Sequence, residues 1–347
     1  MKSIVILHFR PPKLYPPLLN FLSYLEERNI RYKLVTAKEF NSKNVFFRFL
    51  SVLDFFINGS LSTFFHLGPI ICYESISASG LFASSFLKRK QDIYFHYHEY
   101  FSIEEYKRES FLERLGLKLE KSILKKALWI SHTNYDRLEK WSNENPCIQK
   151  EKLGILPNYP PKKWTHSKPK ENYTHEKIRL LHIGALSLNT MYLKEVLDMI
   201  GGDPRFSLDF YSHIISRDVH KEIDKHANCF IKGAIDYNKI PLLRNNYDVG
   251  LVLYNASTLN FKYNAPNKIF EYLSLGLDVW CSDKLISAKQ YECVDTYPKM
   301  ILVDFTRFNQ FDVSKARSIE GLSYSPSPYH CEEVFDSFVE KIFQVKR

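Results

Sequence analysis

Short apolar runs bounded by turn residues alternate along this chain with longer segments in which apolar residues return every three or four positions. Runs at 3–9, 32–36, 69–73, 92–97 and 127–131 predict strands. A strand buried on both faces of a parallel sheet reads as such a continuous apolar run. Between them, 18–28 and a segment near 78–88 predict helices, and 104–126 predicts one long, charge-laced amphipathic helix. Clustered Pro and Lys break the rhythm at 157–177, which reads as a linker. The alternation then restarts, with strands at 178–183, 206–211, 229–231, 249–253, 279–281 and 300–303 and helices at 191–200 and 331–345. Strands alternating with helices argue for βαβ units on parallel sheets. The expected organisation is a first domain at 1–160, a linker at 161–177, a second domain at 178–325 and a C-terminal helix at 326–347.

One segment fits two readings. Residues 45–65 are dense in Phe and Leu, but Arg48, Asp54, Asn58 and Gly59 interrupt them, so they do not read as a membrane span. Phe46, Phe49, Leu50, Leu53 and Phe56 with Ile57 recur at helical spacing. An interfacial helix and a buried core helix both account for that pattern.

Composition adds bounds. At 347 residues the chain exceeds one ordinary core, and its 45% hydrophobic and 25% charged fractions are those of a globular protein. The charge is lopsided: residues 1–170 hold 27 Lys and Arg against 16 Asp and Glu, a net +11, while 171–347 hold 21 against 23, a net −2. A basic half suits an anionic membrane surface, an acidic acceptor or a nucleic acid. Helix-turn-helix, RNP and finger patterns are absent, which disfavours nucleic acid. Six scattered cysteines, with no CxxC pair, argue against a zinc site and for a reducing compartment. The opening residues lack the regions of a signal peptide, so the expected location is cytoplasmic.

Candidate chemistry concentrates at 265–276. Pro266 stands where a first-turn proline is tolerated, Gly276 where a helix would end, and Glu271 is a lone carboxylate one turn inside. A helix N-terminus opening beside a strand end is an anion site, and a nearby carboxylate suits a ribose diol. Together they point to a pocket for a nucleotide diphosphate. A nicotinamide Rossmann enzyme is disfavoured, because no GxGxxG occurs among the twelve glycines.

The second half resembles glycosyltransferases of the GT-B fold, family-4-like, the group of bacterial polysaccharide and envelope enzymes. Lys232-Gly233-Ala234-Ile235, Ile240-Pro241-Leu242-Leu243, Tyr247-Asp248-Val249-Gly250-Leu251 and the block from Pro266 to Gly276 carry the match. In the first half, His98-Glu99 after an apolar strand and Pro157-Asn158 are similar to elements of the same group. The resemblance implies two Rossmann-like α/β domains facing a cleft, with the C-terminal helix packing back on the first. It implies a transferase, retaining in mechanism, that moves a hexosyl or related sugar from a nucleotide-diphosphate donor to a glycan or lipid-linked acceptor. Such enzymes serve lipopolysaccharide and capsule assembly and sit peripherally on the inner face of the cell membrane. Glu271 would bind the ribose, and Lys268 or the backbone at Asn267 would meet the diphosphate or sugar. Gly184 would let a loop approach the phosphates, and Gly233, Ala234 and Ile235 would face the base. His98 and Glu99 would serve the acceptor side, and Asn158 would reach in from the hinge. No metal or other cofactor is implied, and no DxD-type pair is visible.

The chain departs from that pattern in places. Tyr263 stands where many members have a second Glu, no Arg follows Gly184, Lys194 comes late, and Asp278 replaces a usual Pro. The alternatives are a nucleotide-sugar epimerase and a scaffold or binding protein that has lost catalysis.

Overall fold

The computed structural model describes residues 3–38, 45–87, 91–108, 111–170, 177–213, 215–317 and 320–344. The chain forms two compact units, one of residues through Asn158 plus the segment from Cys331, the other from Tyr159 to His330.

The first unit runs β1 (Ser3–His8), α1 (Pro16–Glu27), β2 (Arg31–Val35), α2 (Val45–Phe64), β3 (Ile70–Tyr73), α3 (Phe82–Leu87), β4 (Ile93–Tyr97), α4 (Ile103–Arg108), α5 (Phe111–Leu124), β5 (Trp129–His132), α6 (Tyr135–Glu144) and β6 (Leu153–Ile155). All six strands are parallel, in the order β2-β1-β3-β4-β5-β6. On one side Phe55 of α2 and Ile123 of α5 pack with Leu7, Cys72, Phe95 and Ile130 of the strands. Gly59 lets α2 come close, since a Cβ there would lie 2.6 Å from the Cα of Gly80. Phe55, Gly59 and Thr63 form the buried face of α2, while Phe46, Phe49, Leu53, Ile57 and Leu61 stay exposed.

The C-terminal helix, which the second unit's elements precede, returns to the first. Its Phe335 and Phe338 meet Phe21 at 5.0 and 5.7 Å, Phe338 lies 5.0 Å from Trp129, and Asp336 accepts a 2.6 Å bond from Tyr24. The expected return of this helix to the first domain is therefore present.

The second unit runs β7 (Ile178–Ile183), α7 (Leu193–Ile200), β8 (Phe206–Tyr211), α8 (Arg217–Ile223), β9 (Cys229–Gly233), β10 (Val249–Val252), α9 (Leu259–Lys262), α10 (Asn267–Ser274), β11 (Asp278–Ser282), β12 (Thr296–Tyr297), β13 (Met300–Val303), α11 (Val313–Arg317) and β14 (Ser323–Tyr324), and α12 (Cys331–Gln344) is the returning helix. Its main sheet is parallel, in the order β13-β11-β10-β7-β8-β9.

Some expectations change. Helix α1 begins at Pro16, two residues before 18, because prolines at its first positions lack only amides that have no helical partner. The long helix expected at 104–126 divides into α4 and α5, and 109–110 lie outside the described residues. The helix near 78–88 starts as a 3₁₀ segment, Ser75–Leu81, before α3, and its last residue lies outside the described residues. Pro266 is the cap of α10 rather than its first helical residue. The described part of 161–177 is packed on the second unit. Trp164 is buried there, 4.8 Å from Tyr237, and Lys170 is buried with its ammonium 3.6 Å from Asp248.

Candidate functional site

In open parallel sheets, ligands bind outside the carboxyl ends of the strands, where the strand order reverses. In the second unit that point lies between β7 and β10. Strand β7 is followed directly by Gly184, whose φ of +143° favours glycine and whose N–H donates to Tyr211 O at 2.9 Å. Two residues back, His182 is buried, with Nδ1 3.2 Å from Leu251 O and Nε2 3.3 Å from Ala185 O. Burial pushes its pKa down to about 4 against those carbonyls, with the nearby Lys268 charge adding to the fall. The ring is neutral and carries one N–H, so it donates to only one of these carbonyls while packing between β10 and the turn after Gly184.

Helix α10 is seated at the same point. Its C-terminus closes with Gly276 at φ +69°, Leu277 N bonding Tyr272 O and Gly276 N bonding Leu273 O, the paired pattern of a glycine-ended helix. The Tyr272 hydroxyl accepts from Ile183 N at 2.9 Å, pinning the helix beside Gly184. Its ring lies over Gly250, where a Cβ would come within 2.1 Å. Asn267, Lys268 and Glu271 share one face of α10 at the i, i+3 and i+4 spacing. Asn267 Nδ2 donates to Glu271 Oε1 at 2.6 Å, and Lys268 Nζ to Oε2 at 2.5 Å. Both carboxylate oxygens are thus engaged, and Glu271 is only 1% exposed. Each oxygen keeps a lone pair, but at this burial a ribose hydroxyl reaches one only as the Lys268 or Asn267 side chain moves aside.

The third predicted group sits two strands away. Gly233 ends β9 at φ +77°, its O accepting from Ser212 N at 2.8 Å. With roughly 4.8 Å between strands, this end lies about 10 Å from Gly184 along one edge. Nothing stands within 4 Å of a Cβ built on Gly233, and Ala234 is exposed. The structure therefore brings Gly184 and α10 together and sets Gly233, Ala234 and Ile235 at the same edge.

In the first unit the order reverses between β1 and β3. A cavity of about 160 Å³ opens there, walled by His8 and Arg10 after β1, Tyr73 and Glu74 at β3, Glu99 and Phe101 after β4, and Tyr15 and Tyr106. Glu99 is the predicted residue that lines it. His98 lies one layer beneath, its ring 5.2 Å from Tyr15 and stacked 5.4 Å from Tyr73. Its Nδ1 is 3.2 Å from Asn158 Oδ1, and the buried Nε2 has no hydrogen-bond partner among the described residues. Burial holds its pKa well below the usual histidine range, with His96 and His8 adding to that. Arg137 holds the His98 carbonyl from behind.

Glu74 was not among the expected residues. It follows the last residue of β3, and its φ of +64° is a left-handed conformation that costs a non-glycine residue on the order of 1 kcal/mol. Its carboxylate accepts from His98 N at 2.7 Å. Burial, followed by the Glu99 charge, pushes its pKa up to about 8. The signal that could have found it is position: a carboxylate directly after an apolar run that ends at a switch point. Behind the cavity Glu120 is buried, bonded by the Tyr97 hydroxyl and pushed up to about 7 by burial. Among the described residues no three His, Cys, Asp or Glu side chains gather as metal ligands.

No protein-family model and no curated protein matches the chain. Solved structures do. Anabaena HepE, solved with UDP and glucose, is 12% identical over 99% of this chain and all of its own, at a TM-score of 0.70. Sucrose-phosphate synthase from Thermosynechococcus elongatus is 11% identical over the whole of both chains, at 0.67. The UDP-GlcNAc 2-epimerase of Neisseria meningitidis, bound to UDP-GlcNAc, is 12% identical over 99% of this chain and all of its own, at 0.57. These likenesses show the fold: the chain has the two-unit GT-B fold.

Proposed function

We propose that the chain is a glycosyltransferase of the family-4-like group, moving a sugar from a nucleotide-diphosphate donor to a hydroxyl of a glycan or lipid-linked acceptor in envelope polysaccharide assembly. The observation that carries this reading is the bond from Ile183 N to the Tyr272 hydroxyl, which seats α10 beside Gly184 at the second unit's switch point. That arrangement offers what a nucleotide diphosphate needs: a backbone that can be approached, a helix N-terminus, a cation and a carboxylate. The helix end and Lys268 would balance the diphosphate as it departs, Glu271 would accept from the ribose hydroxyls, and the edge at Gly233, Ala234 and Ile235 would face the base. UDP is the first nucleotide to test, since two of the similar structures hold UDP or a UDP-sugar.

On the acceptor side, the first unit's cavity pairs carboxylates with aromatic rings. Glu99 would accept from an acceptor hydroxyl, and His98 would act beneath it through Tyr15 and Tyr73. Catalysis in this scheme is positioning and stabilisation of the leaving group.

The likeness to an epimerase supports a second reading, in which the donor sugar is isomerised and no acceptor is used. Melting the protein against a panel of nucleotides and nucleotide-sugars tests the donor site, because a ligand of the native state raises Tm. Release of UDP only when an acceptor is added supports the transferase. An altered sugar still bound to UDP, formed without acceptor, supports the epimerase. No shift with any nucleotide at millimolar concentration would overturn both.

A further inference from the structure

The outward face of α2 carries large apolar side chains that its own unit does not cover. Phe46, Phe49, Leu53, Ile57, Leu61 and Phe64 form one row, with exposures from 37% at Phe64 to 61% at Phe46. The opposite face, Phe55, Gly59 and Thr63, already makes the helix's contacts with its unit. No described helix is long and apolar enough to cross a membrane. Single exposed apolar residues are ordinary, but a continuous row along a helix of about 30 Å is not.

The row is symmetric. Its steps are three, four, four, four and three residues, so it reads the same from either end. A second copy turned end for end, about a two-fold axis level with Phe55, sets Leu53 opposite Ile57, Phe49 opposite Leu61 and Phe46 opposite Phe64. Leu53 and Ile57 fall at the centre, where two crossing helices approach closest, and the larger Phe46 and Phe64 fall at the ends, where the helices splay. The two ends also differ in relief. At the C-terminal end, Leu61 and Phe65 wall a groove of about 540 Å³ with Arg31, Tyr32 and Lys33 of the edge strand β2. At the N-terminal end the Phe46 and Phe49 rings stand 61% and 54% exposed. Antiparallel pairing brings those rings to the groove, twice over by symmetry, with two cations at hand for the ring faces.

We propose that the chain forms a two-fold dimer through the outward face of α2. The two copies of α2 lie antiparallel, and Phe46 and Phe49 of each seat beside Leu61, Arg31 and Lys33 of the other. The exposed parts of the six side chains and Phe65 come to about 700 Å² per copy, taking about 200 Å² for a whole phenylalanine. The pair then buries about 1,400 Å², inside the roughly 1,200–2,000 Å² of specific interfaces. A bilayer has no order of side chains to match and gives no reason for a symmetric row. Residues 1–170 carry a net +11 in both copies, so charge opposes the pairing and salt favours it. Binding to an anionic lipid surface has the opposite salt dependence.

The test is sedimentation velocity of the full chain from about 1 to 50 μM, in about 0.1 M and about 0.5 M salt. It uses no substrate, so its outcome is independent of whether the protein transfers sugar. The wild type should be a dimer at the upper concentrations, held no more weakly at the higher salt. Leu53→Glu/Ile57→Glu sets four carboxylates around the axis and should raise the dissociation constant at least about a hundredfold, with the circular dichroism of the wild type. Cross-linking reads the register. Phe49→Cys mixed with Leu61→Cys, each with the exposed Cys147 and Cys293 changed to Ser, should form a disulfide-linked dimer. Phe49→Cys alone should not, because the two Phe49 positions stand about 18 Å apart along the paired helices. This second measurement decides the matter if the Glu variant does not fold. A wild type that stays monomeric, a dimer that the folded Glu variant leaves intact, or cross-linking of Phe49→Cys alone overturns the proposal. So does a monomeric wild type that floats with phosphatidylglycerol vesicles, because lipid would then cover the row.

Discussion

Replacing Glu271 by Gln removes its charge while keeping its shape, and the structure sets what this should cost. The amide keeps one oxygen where the carboxylate has two, so it can accept from Asn267 or from Lys268 as the two carboxylate oxygens now do, and the Lys268 ammonium loses its countercharge either way. Breaking a buried ion pair costs about 3–5 kcal/mol, and the 17% exposure of the Lys268 side chain lets it recover some hydration. That leaves about 2–3 kcal/mol, which for a unit of this size lowers its Tm by about 4–12 °C. Affinity should fall separately. One hydrogen bond from a ribose hydroxyl to a charged acceptor is worth about 1.5–3 kcal/mol, so UDP binding should weaken about 10- to 150-fold.

A lost ion pair and a lost ligand contact are told apart by a second substitution. Lys268→Met removes the cation, and adding Glu271→Gln to it leaves no unpaired ammonium, so most of the stability should return in the double variant. Calorimetry supplies the stabilities and titration calorimetry with UDP the affinities. If the carboxylate meets the ribose, the double variant should bind UDP at least about tenfold more weakly than Lys268→Met alone. Equal binding by those two variants would refute the donor role of Glu271 and leave it as the partner that holds Lys268.

Gly250→Ala should destabilise the second unit by about 1–3 kcal/mol or more, because its Cβ would stand 2.1 Å from the Tyr272 ring, and denaturant unfolding reads the loss. UDP affinity should fall with it, since Tyr272 seats the helix that carries Glu271. Asp248→Asn should cost about 3–5 kcal/mol by the same measurement, as it strands Arg179, now bonded at 3.0 and 3.2 Å, and the buried Lys170. For Glu74, a folded pKa of about 8 lies above that of an unfolded carboxyl, so the native state holds a proton that the unfolded chain releases. Its contribution to stability is present in full below the ordinary carboxyl range and is lost as pH rises through about 8. The Tm of wild type relative to Glu74→Gln should therefore fall between about pH 5 and pH 9, and a constant difference would contradict the assignment.

The alternation of elements was legible because parallel strands such as Ile70–Tyr73 and Ile93–Tyr97 are buried on both faces and must be apolar throughout. What escaped was set by single residues rather than by periodicity. Helix α6 is polar overall, yet its start is marked by Asn134, whose side chain accepts from Arg137 N. The segment 161–177 reads as a linker from its Pro and Lys, but Trp164 among them was the contrary sign, being too large an apolar surface to leave in water.

The two candidate sites differ in legibility for a physical reason. The partners of Glu271 lie three and four residues before it, so a helix that opens at Pro266 already brings Asn267, Lys268 and the carboxylate together on one face. Glu74 owes its environment to residues distant in sequence: the His98 amide 24 positions on, and a cavity that also needs His8, Tyr15 and Glu99. Only the strand order places those groups together, since β1, β3 and β4 are neighbours in the sheet and their ends meet at one switch point. A strand-ending carboxylate in a left-handed conformation is strained, and strain of this kind persists where the surrounding structure holds it. The His98 and Glu99 pair was visible as a motif, but which of the two reaches the cavity depends on how the chain bends after β4 ends at Tyr97. Tyr97 turns to Glu120 on the buried side, His98 tucks under Tyr15, and Glu99 emerges into the cavity.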